Sequence, residues 1–385
     1  MTTPCILVLA AVISMLMSYA SALSSLRMSV TAPKKVLLVG GTRFSGLYLW
    51  KELQERGHEV TLFNRGKTPL KKTPRETDNE FAARSQMTRF IKGDRKDVSD
   101  MKAKLGGERF DVVYDLGGRE AEDTAPLVEM FGKSVDHFVY MSSAGVYKKS
   151  VTFPHTEESE TDPQSRHKGK LNTEKMLMDA GVPFTSIRPT YIYGPHNYNP
   201  IEEFFFERLD AKRAVCVPGH GDHFTGLGHV EDLAVAMAQV IGRDVAKGQI
   251  YNIQDDTAVT FTGLVKECAK AMGGGSKDDS RSSKVKIQYF DPDNHDLGVD
   301  SKGKARKVFP MRAQHFFTSV DKAKRDLDWA PQYSLCDGLV DSYKNDFLVK
   351  KASGALKGDF TADDVILNDD RVVVKMFDGM GRDTI

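Results

Sequence analysis

"KVLLVGGTRFSGLYLW", Lys35 to Trp50, runs from an unbroken Val/Leu stretch through a glycine-containing turn into apolar residues at helical spacing. A short continuous apolar run suits a strand buried on both faces, as in a parallel sheet. Glycines in such a turn let backbone N–H groups approach a pyrophosphate at the N-terminus of the following helix. On a Gly-x-x-Gly-x-x-Gly pattern, Gly40 and Gly46 fit and Arg43 holds the middle place. A side chain there crowds the usual close approach, although a guanidinium can itself pair with phosphate. The candidate cofactor-binding residues of this turn are Gly40, Gly41, Thr42, Arg43, Phe44 and Gly46.

Outward from that turn, "SGLYLWKELQERGH" has helical spacing and stops at Gly57. "EVTLFNRG", "MTRFIKGD", "FDVVYDLGG", "DHFVYMSSAGVY" and "PFTSIRPTYIYG" read as further strands, with helical segments between them. This alternation predicts an α/β fold, a doubly wound parallel sheet of Rossmann-like type, over residues 34–194. A smaller mixed C-terminal lobe follows over 195–347, with strands returning to the core and helices such as "VEDLAVAMAQVIGR" and "TGLVKECAKAMGG". Residues 273–283 read as a Gly/Ser/Asp loop, and 348–385 as a polar, weakly structured tail with one apolar run, "RVVVKMF".

The second strand ends in Asn64 and Arg65, with Lys67 close behind. An NAD site usually carries an acid there for the ribose 2′-hydroxyl, so a missing acid and an added cation favour NADP. Asp94, at the end of the third strand, is placed to reach an adenine amino group.

The chain has 385 residues, 40% hydrophobic and 28% charged, with a formal charge of +1. That balance is globular and does not announce nucleic acid, so any contact with a polyanion must come from a local patch. The 4 cysteines are scattered, with no CxxC pair and no metal-ligand spacing, which argues against a disulfide framework.

Residues 1–22 read as a signal peptide: an apolar run too short for a comfortable membrane span, "CILVLAAVISMLM", and an Ala-x-Ala cleavage site ending at Ala22. Residues 23–33 are Ser-rich and basic, and the first acid in the chain is Glu52, a transit-like composition. Together they resemble bipartite leaders that target complex plastids.

"MSSAGVY", "IRPTYIYGP", "GHVEDLA", "YNIQ" and "SVDKAKRDLDWAP" follow the glycine turn in order, and the chain from about Lys34 to Phe347 resembles the extended short-chain dehydrogenase/reductase family. What the resemblance implies is a catalytic Ser or Thr, Tyr and Lys acting on sugar nucleotides. Ser143 matches the serine and Lys170 the lysine, with Glu174 aligned downstream. The tyrosine position is then Arg166, and a guanidinium cannot act as general acid or base near neutrality. His167 titrates, but one residue along a helix lies roughly 100° away. Tyr147, Tyr191 or Tyr193 would have to fold into the gap.

The departures have a resemblance of their own. "GGTRFSG", "FNRGKTP", "GDRKD", "FDVVYDLGGREAED", "DPQSRHKGKLNTE", "SIRPTYIYGPHNYNP" and "FPMRAQHFF" are similar to the b-type chloroplast stem-loop-binding proteins, atypical members of that superfamily. The resemblance implies a plastid-stroma RNA-binding protein that stabilises or processes transcripts, with divalent-metal-assisted endoribonuclease activity. It also implies association with plastid ribosomes or transcription complexes and a paralogue. The candidate phosphate contacts are Arg166, His167, Lys168 and Lys170, cations at a helix start where the dipole favours anions instead. Two further basic clusters are Lys67, Lys71, Lys72 and Arg75, and Lys302, Lys304, Arg306, Lys307 and Arg312. The last has Phe309, His315, Phe316 and Phe317 interleaved, rings that can stack unpaired bases. For Mg²⁺ the candidate acids are Asp94, Asp97, Asp115, Glu120, Glu122 and Asp123, without a defined ligand set. An NADP-dependent nucleotide-sugar epimerase, dehydratase or reductase with a relocated acid, and a non-catalytic scaffold, remain alternatives.

Overall fold

The computed structural model describes residues 32–275, 284–294, 297–299, 303, 304, 306, 308–356, 358–368 and 374–376. The leader segments expected before residue 32, and Lys302 and Lys307 of the third basic cluster, lie outside the described residues.

The first half alternates strand and helix: β1 (Lys35–Val39), α1 (Ser45–Glu55), β2 (Glu59–Asn64), α2 (Asp78–Gln86), β3 (Arg89–Lys92), α3 (Val98–Leu105), β4 (Val112–Asp115), α4 (Ala121–Phe131), β5 (His137–Met141), α5 (Lys168–Asp179) and β6 (Phe184–Pro189). β7 (Tyr191–Tyr193), α6 (Ile201–Asp210), β8 (Val215–Pro218), β9 (Phe224–Thr225), β10 (Leu227–His229), α7 (Val230–Gln239) and β11 (Gln249–Ile253) follow. The seven-stranded sheet has the order β11-β6-β5-β4-β1-β2-β3, and every pair in it is parallel.

The central strands of this sheet are covered on both sides, whereas the edge strand β3 is mostly exposed. On β1, Val36 and Leu38 face a core shared with α1 and α7, whereas Leu37 and Val39 face one shared with α3, α4 and α5. The strand period of two sends successive residues to opposite layers, so an unbroken apolar run is needed to fill both. Strand order reverses at β1, which opens a crevice at the carboxyl ends of β1 and β4, where ligands bind in such sheets.

The chain after residue 194 contributes to both lobes. β11 extends the main sheet beside β6, and α7 packs on α1. The smaller lobe has its own core, in which Phe205 and Phe206 of α6 and Val217 of β8 meet Phe261 and Val265 of α8 (Phe261–Met272). β12 (Val259–Thr260) pairs with β9, and β13 (Lys286–Phe290) lies parallel to β8 and antiparallel to β14 (Val374–Met376). α9 (Asp321–Leu327) packs on the main-sheet core beside β11, whereas α10 (Leu335–Ser342) and, through a π-helical turn at Tyr343–Phe347, α11 (Leu348–Ala352) complete the smaller lobe.

The segment expected as a loose tail contains α12 (Thr361–Leu367), whose Ile366 is fully buried. Asp363 accepts from Arg208 Nε and Nη2 at 2.7 and 2.6 Å, a buried bidentate pair that binds the segment to α6. Its polarity in the sequence reflects this pairing rather than solvation.

Candidate nucleic-acid interface

The glycine turn is shaped by contact with its own neighbours. A Cβ on Gly46 would lie 2.3 Å from the carbonyl oxygen of Gly40, so only glycine allows α1 to pack this close to β1. α1 starts without a side-chain cap and without an acid in its first turn, which leaves the positive end of its dipole open to an anion. Arg43 does not fill that space. Its guanidinium lies 4.4 Å from the ring centroid of Tyr198, across the mouth of the crevice. At the end of β2, Asn64 Oδ1 accepts from the Gly66 amide at 2.9 Å, and Arg65 is exposed beyond it. Asp94 Oδ1 accepts from the Lys96 amide at 3.1 Å and holds the turn after β3. The glycine cradle and the uncapped helix fit the adenylate half of a dinucleotide.

The catalytic half does not carry the expected hydroxyl. Ser143 Oγ accepts from the Gly145 amide at 3.1 Å. Lys170 is turned inward: its ammonium donates to the carbonyls of Gly118 and Met141 at 2.6 and 2.5 Å. Burial of the ammonium pulls its pKa down from 10.5 to about 8. Of the tyrosines, Tyr147 donates to Asn252 Oδ1 and Tyr193 lies in the core of the smaller lobe. Tyr140 sits beside Lys170, but its hydroxyl is buried and donates to Gly118 O at 3.0 Å. Tyr191 is half-buried and accepts from the Arg312 amide at 3.3 Å.

Arg166 and His167 stand just before α5, and this corrects the direction expected for His167. Because its residue is the N-cap and not a helical position, the imidazole turns into the crevice. Its Nε2 and Ser143 Oγ lie 2.8 and 3.2 Å from the point that a Gly145 Cβ would occupy. Arg166 Nε donates to that Nε2 at 3.0 Å. Burial, and then the charges of Arg166, Arg312, Lys170 and Arg119, lower the His167 pKa to about 4, so the ring is a neutral acceptor ringed by cations.

Three chain segments therefore converge. Arg119 comes from the β4–α4 turn, whose backbone lies against Gly169; Arg166 precedes α5; Arg312 is tied by its amide to Tyr191. Among the described residues, Arg119, Arg166, Lys168 and Arg312 have no carboxylate within ion-pair distance. Arg119 stands alone in the sequence between acids, and only folding brings it to the others. The first basic cluster is different, since Lys72 pairs with Asp78 at 2.7 Å and Arg75 with Glu231 at 3.0 Å.

Two expectations on the remaining residues are corrected. Phe309 and Phe316 are buried, Phe309 among Phe204, Phe205 and Phe261, so neither is a free stacking ring. Asp115 is fully buried and accepts from Arg95 at 2.5 and 2.8 Å, from Thr124 and from two amides. Asp123 accepts from the amides of Arg119 and Glu120, capping α4. Among the described residues no group of three or more His, Cys, Asp or Glu is arranged to hold a metal ion.

Comparison with known proteins accounts for this scaffold. Residues 36–253 match the model of the NAD dependent epimerase/dehydratase family. The chain belongs to that family. Within it, the chain is 48% identical over 345 residues to the chloroplast stem-loop binding protein of 41 kDa b from Arabidopsis thaliana, covering 89% of this chain and 87% of the relative. Among solved structures, UDP-glucose 4-epimerase from Thermotoga maritima, with UDP-glucose, is similar at a TM-score of 0.62 and 21% identity, covering 82% of this chain and 99% of that one. UDP-glucuronic acid 4-epimerase from Bacillus cereus, in complex with NAD, gives a TM-score of 0.58 and 17% identity, covering 82% and 99%. At these identities the family's epimerases define the fold of this chain. That epimerase holds NAD on this fold; in the present chain Arg166 stands just before α5.

Proposed function

We propose that this chain is a plastid RNA-binding protein that holds the phosphates of a structured RNA in the crevice between its two lobes. The observation that carries it is the convergence of Arg119, Arg166 and Arg312 on a neutral His167, with no acid paired to any of them among the described residues. A cleft of one charge sign, partly shielded from water, concentrates an anionic ligand. Lys168, exposed on the first turn of α5, extends the same face, while Lys170 anchors α5 from within. The chloroplastic, stem-loop-binding relative supports both the ligand class and the compartment.

The test is RNA affinity as a function of salt. Loss of three phosphate contacts in the Arg119→Ala, Arg166→Ala, Arg312→Ala variant is expected to flatten the slope of log K against log salt by roughly two to three. An unchanged slope would remove this cluster from the interface. Association with ribosomes or transcription complexes belongs to the same proposal and predicts particles that shrink on ribonuclease treatment.

A second reading is nucleotide binding at the glycine turn, favoured by the uncapped α1 and the acid-free end of β2. Gly40, Gly41, Thr42, Arg43, Phe44 and Gly46 would hold the pyrophosphate, Arg65 a 2′-phosphate and Asp94 the adenine. When bound, the cofactor supplies hydride chemistry; Ser143 and Lys170 remain to orient a substrate, and Tyr191 is the half-buried hydroxyl nearest the cationic cluster by its bond to Arg312. Absence of fluorescence enhancement at millimolar NADPH ends this reading. Mg²⁺-assisted cleavage, if intrinsic, would draw on phosphate oxygens of the RNA as ligands, since Asp115 and Asp123 are engaged in internal bonds.

A further inference from the structure

Of the rings interleaved with the third basic cluster, His315 folds to the surface beside this cleft, where it meets aromatic residues from elsewhere in the chain. Phe153 precedes α5, Phe224 lies on β9, and His223 and His315 join them from either side. Phe224 and His315 have ring centroids 4.4 Å apart, Phe153 and Phe224 5.0 Å, and His223 and His315 5.0 Å. His315 is exposed and the other three are half-buried, so ring faces reach solvent here. We infer that Phe153, Phe224 and His315, backed by His223, form a stacking platform for unpaired bases of the RNA whose phosphates lie in the cationic cleft. This rests on the RNA-binding reading and adds a second, chemically distinct part to it.

The platform is held rigidly from below. Phe153 meets His155 edge-on at 5.2 Å, and His155 stacks on the buried Tyr147 at 5.1 Å, four residues beyond Ser143. The Phe224 amide donates to His315 Nδ1 at 3.2 Å, which puts the proton of the neutral ring on Nε2, a donor for a base edge. Rings already ordered by packing lose little entropy when a base stacks on them.

Charge distinguishes a nucleobase from an apolar protein segment as occupant. Arg312 lies three residues before His315, at most about 10 Å of extended chain, one to two nucleotide steps along a single strand. Lys149, exposed on the loop that carries Phe153, has no acid paired to it among the described residues. Asp222, next to His223, places an acid on this face. Aromatic faces flanked by unpaired cations suit a strand with stacked bases and a phosphate backbone.

The test uses the full-length chain and two RNAs: a stem-loop with 2-aminopurine in its loop, and the same stem closed as a blunt duplex. Loop fluorescence is expected to be quenched on binding, and the duplex is expected to bind on the order of ten-fold more weakly. His315→Ala should abolish the quenching and bring stem-loop affinity down to that of the duplex, and Phe153→Leu should act in the same direction. His315→Trp should restore both signals, which a merely structural histidine would not allow. Equal affinity for the two RNAs, with His315→Ala silent, overturns the platform and leaves RNA binding standing. Equal loss on both RNAs without rescue by tryptophan also overturns it. Failure of the wild-type chain to bind either RNA sinks the RNA reading itself, and the platform with it.

Discussion

At the residue scale, two buried bases carry the crevice's response to pH. Lys170 has a pKa of about 8 in the fold against 10.5 when unfolded. Between those values the unfolded chain binds more protons, so this group adds stability as pH rises. Wild type is therefore expected to gain stability relative to Lys170→Met from pH 8 to 10, read from urea midpoints at each pH. His167 titrates near 4 in the fold against 6.5 when unfolded, so its contribution is full above pH 6.5 and is lost as pH falls toward 4. His167→Gln should consequently lose less stability than wild type over that interval, in the same measurement. Bound phosphate neutralises the surrounding guanidinium groups and raises the His167 pKa, so RNA binding below pH 6 should take up protons. Isothermal titration in buffers of different ionisation enthalpy checks this.

Secondary-structure elements owe their positions to a few contacts that tolerate no substitution. Gly46→Ala would press a methyl against the Gly40 carbonyl and must separate α1 from β1, and a fall in stability of at least about 2 kcal/mol is expected from denaturant unfolding. The tail helix is held by a buried ion pair, Arg208 with Asp363, and by a more exposed one, Arg213 with Asp364. Asp363→Ala takes from the buried Arg208 guanidinium its bidentate partner and leaves only Glu207 at 4.0 Å, with an expected cost of about 3 kcal/mol by the same assay. The sheet elements were legible because a parallel strand buried on both faces must be a continuous apolar run, and β1 is one. α12 was not, because a helix held by a buried carboxylate looks as polar as a solvated one.

For the whole molecule, the crevice joins a helix N-terminus suited to pyrophosphate to a guanidinium cluster suited to RNA. Ligands sharing it should compete: the apparent Kd for RNA is expected to rise linearly with NADPH once the cofactor exceeds its own Kd. Fluorescence anisotropy of labelled RNA at fixed salt is the measurement, and a flat response would separate the two sites. The candidate site was half legible. Arg166 and Lys168 stood out as cations where the helix dipole disfavours them and Arg312 as part of a basic run, but Arg119 gave no signal and nothing joined Arg312 to it. Nearly two hundred residues separate those two, and neither belongs to a motif that demands the other. The same applies to Phe153 and Phe224, which only the fold brings to His315 of the basic run.

The amino-acid sequence alone determined the doubly wound sheet, the glycine turn and the placing of an arginine, Arg166, before α5. Each is a local property, readable from periodicity, from backbone sterics or from a single side chain's chemistry. Tertiary structure alone decided which charges stay unpaired, which rings reach water and which way His167 and Lys170 face. Those outcomes depend on desolvation and on partners distant in the chain, and no window of sequence contains both members of such a pair.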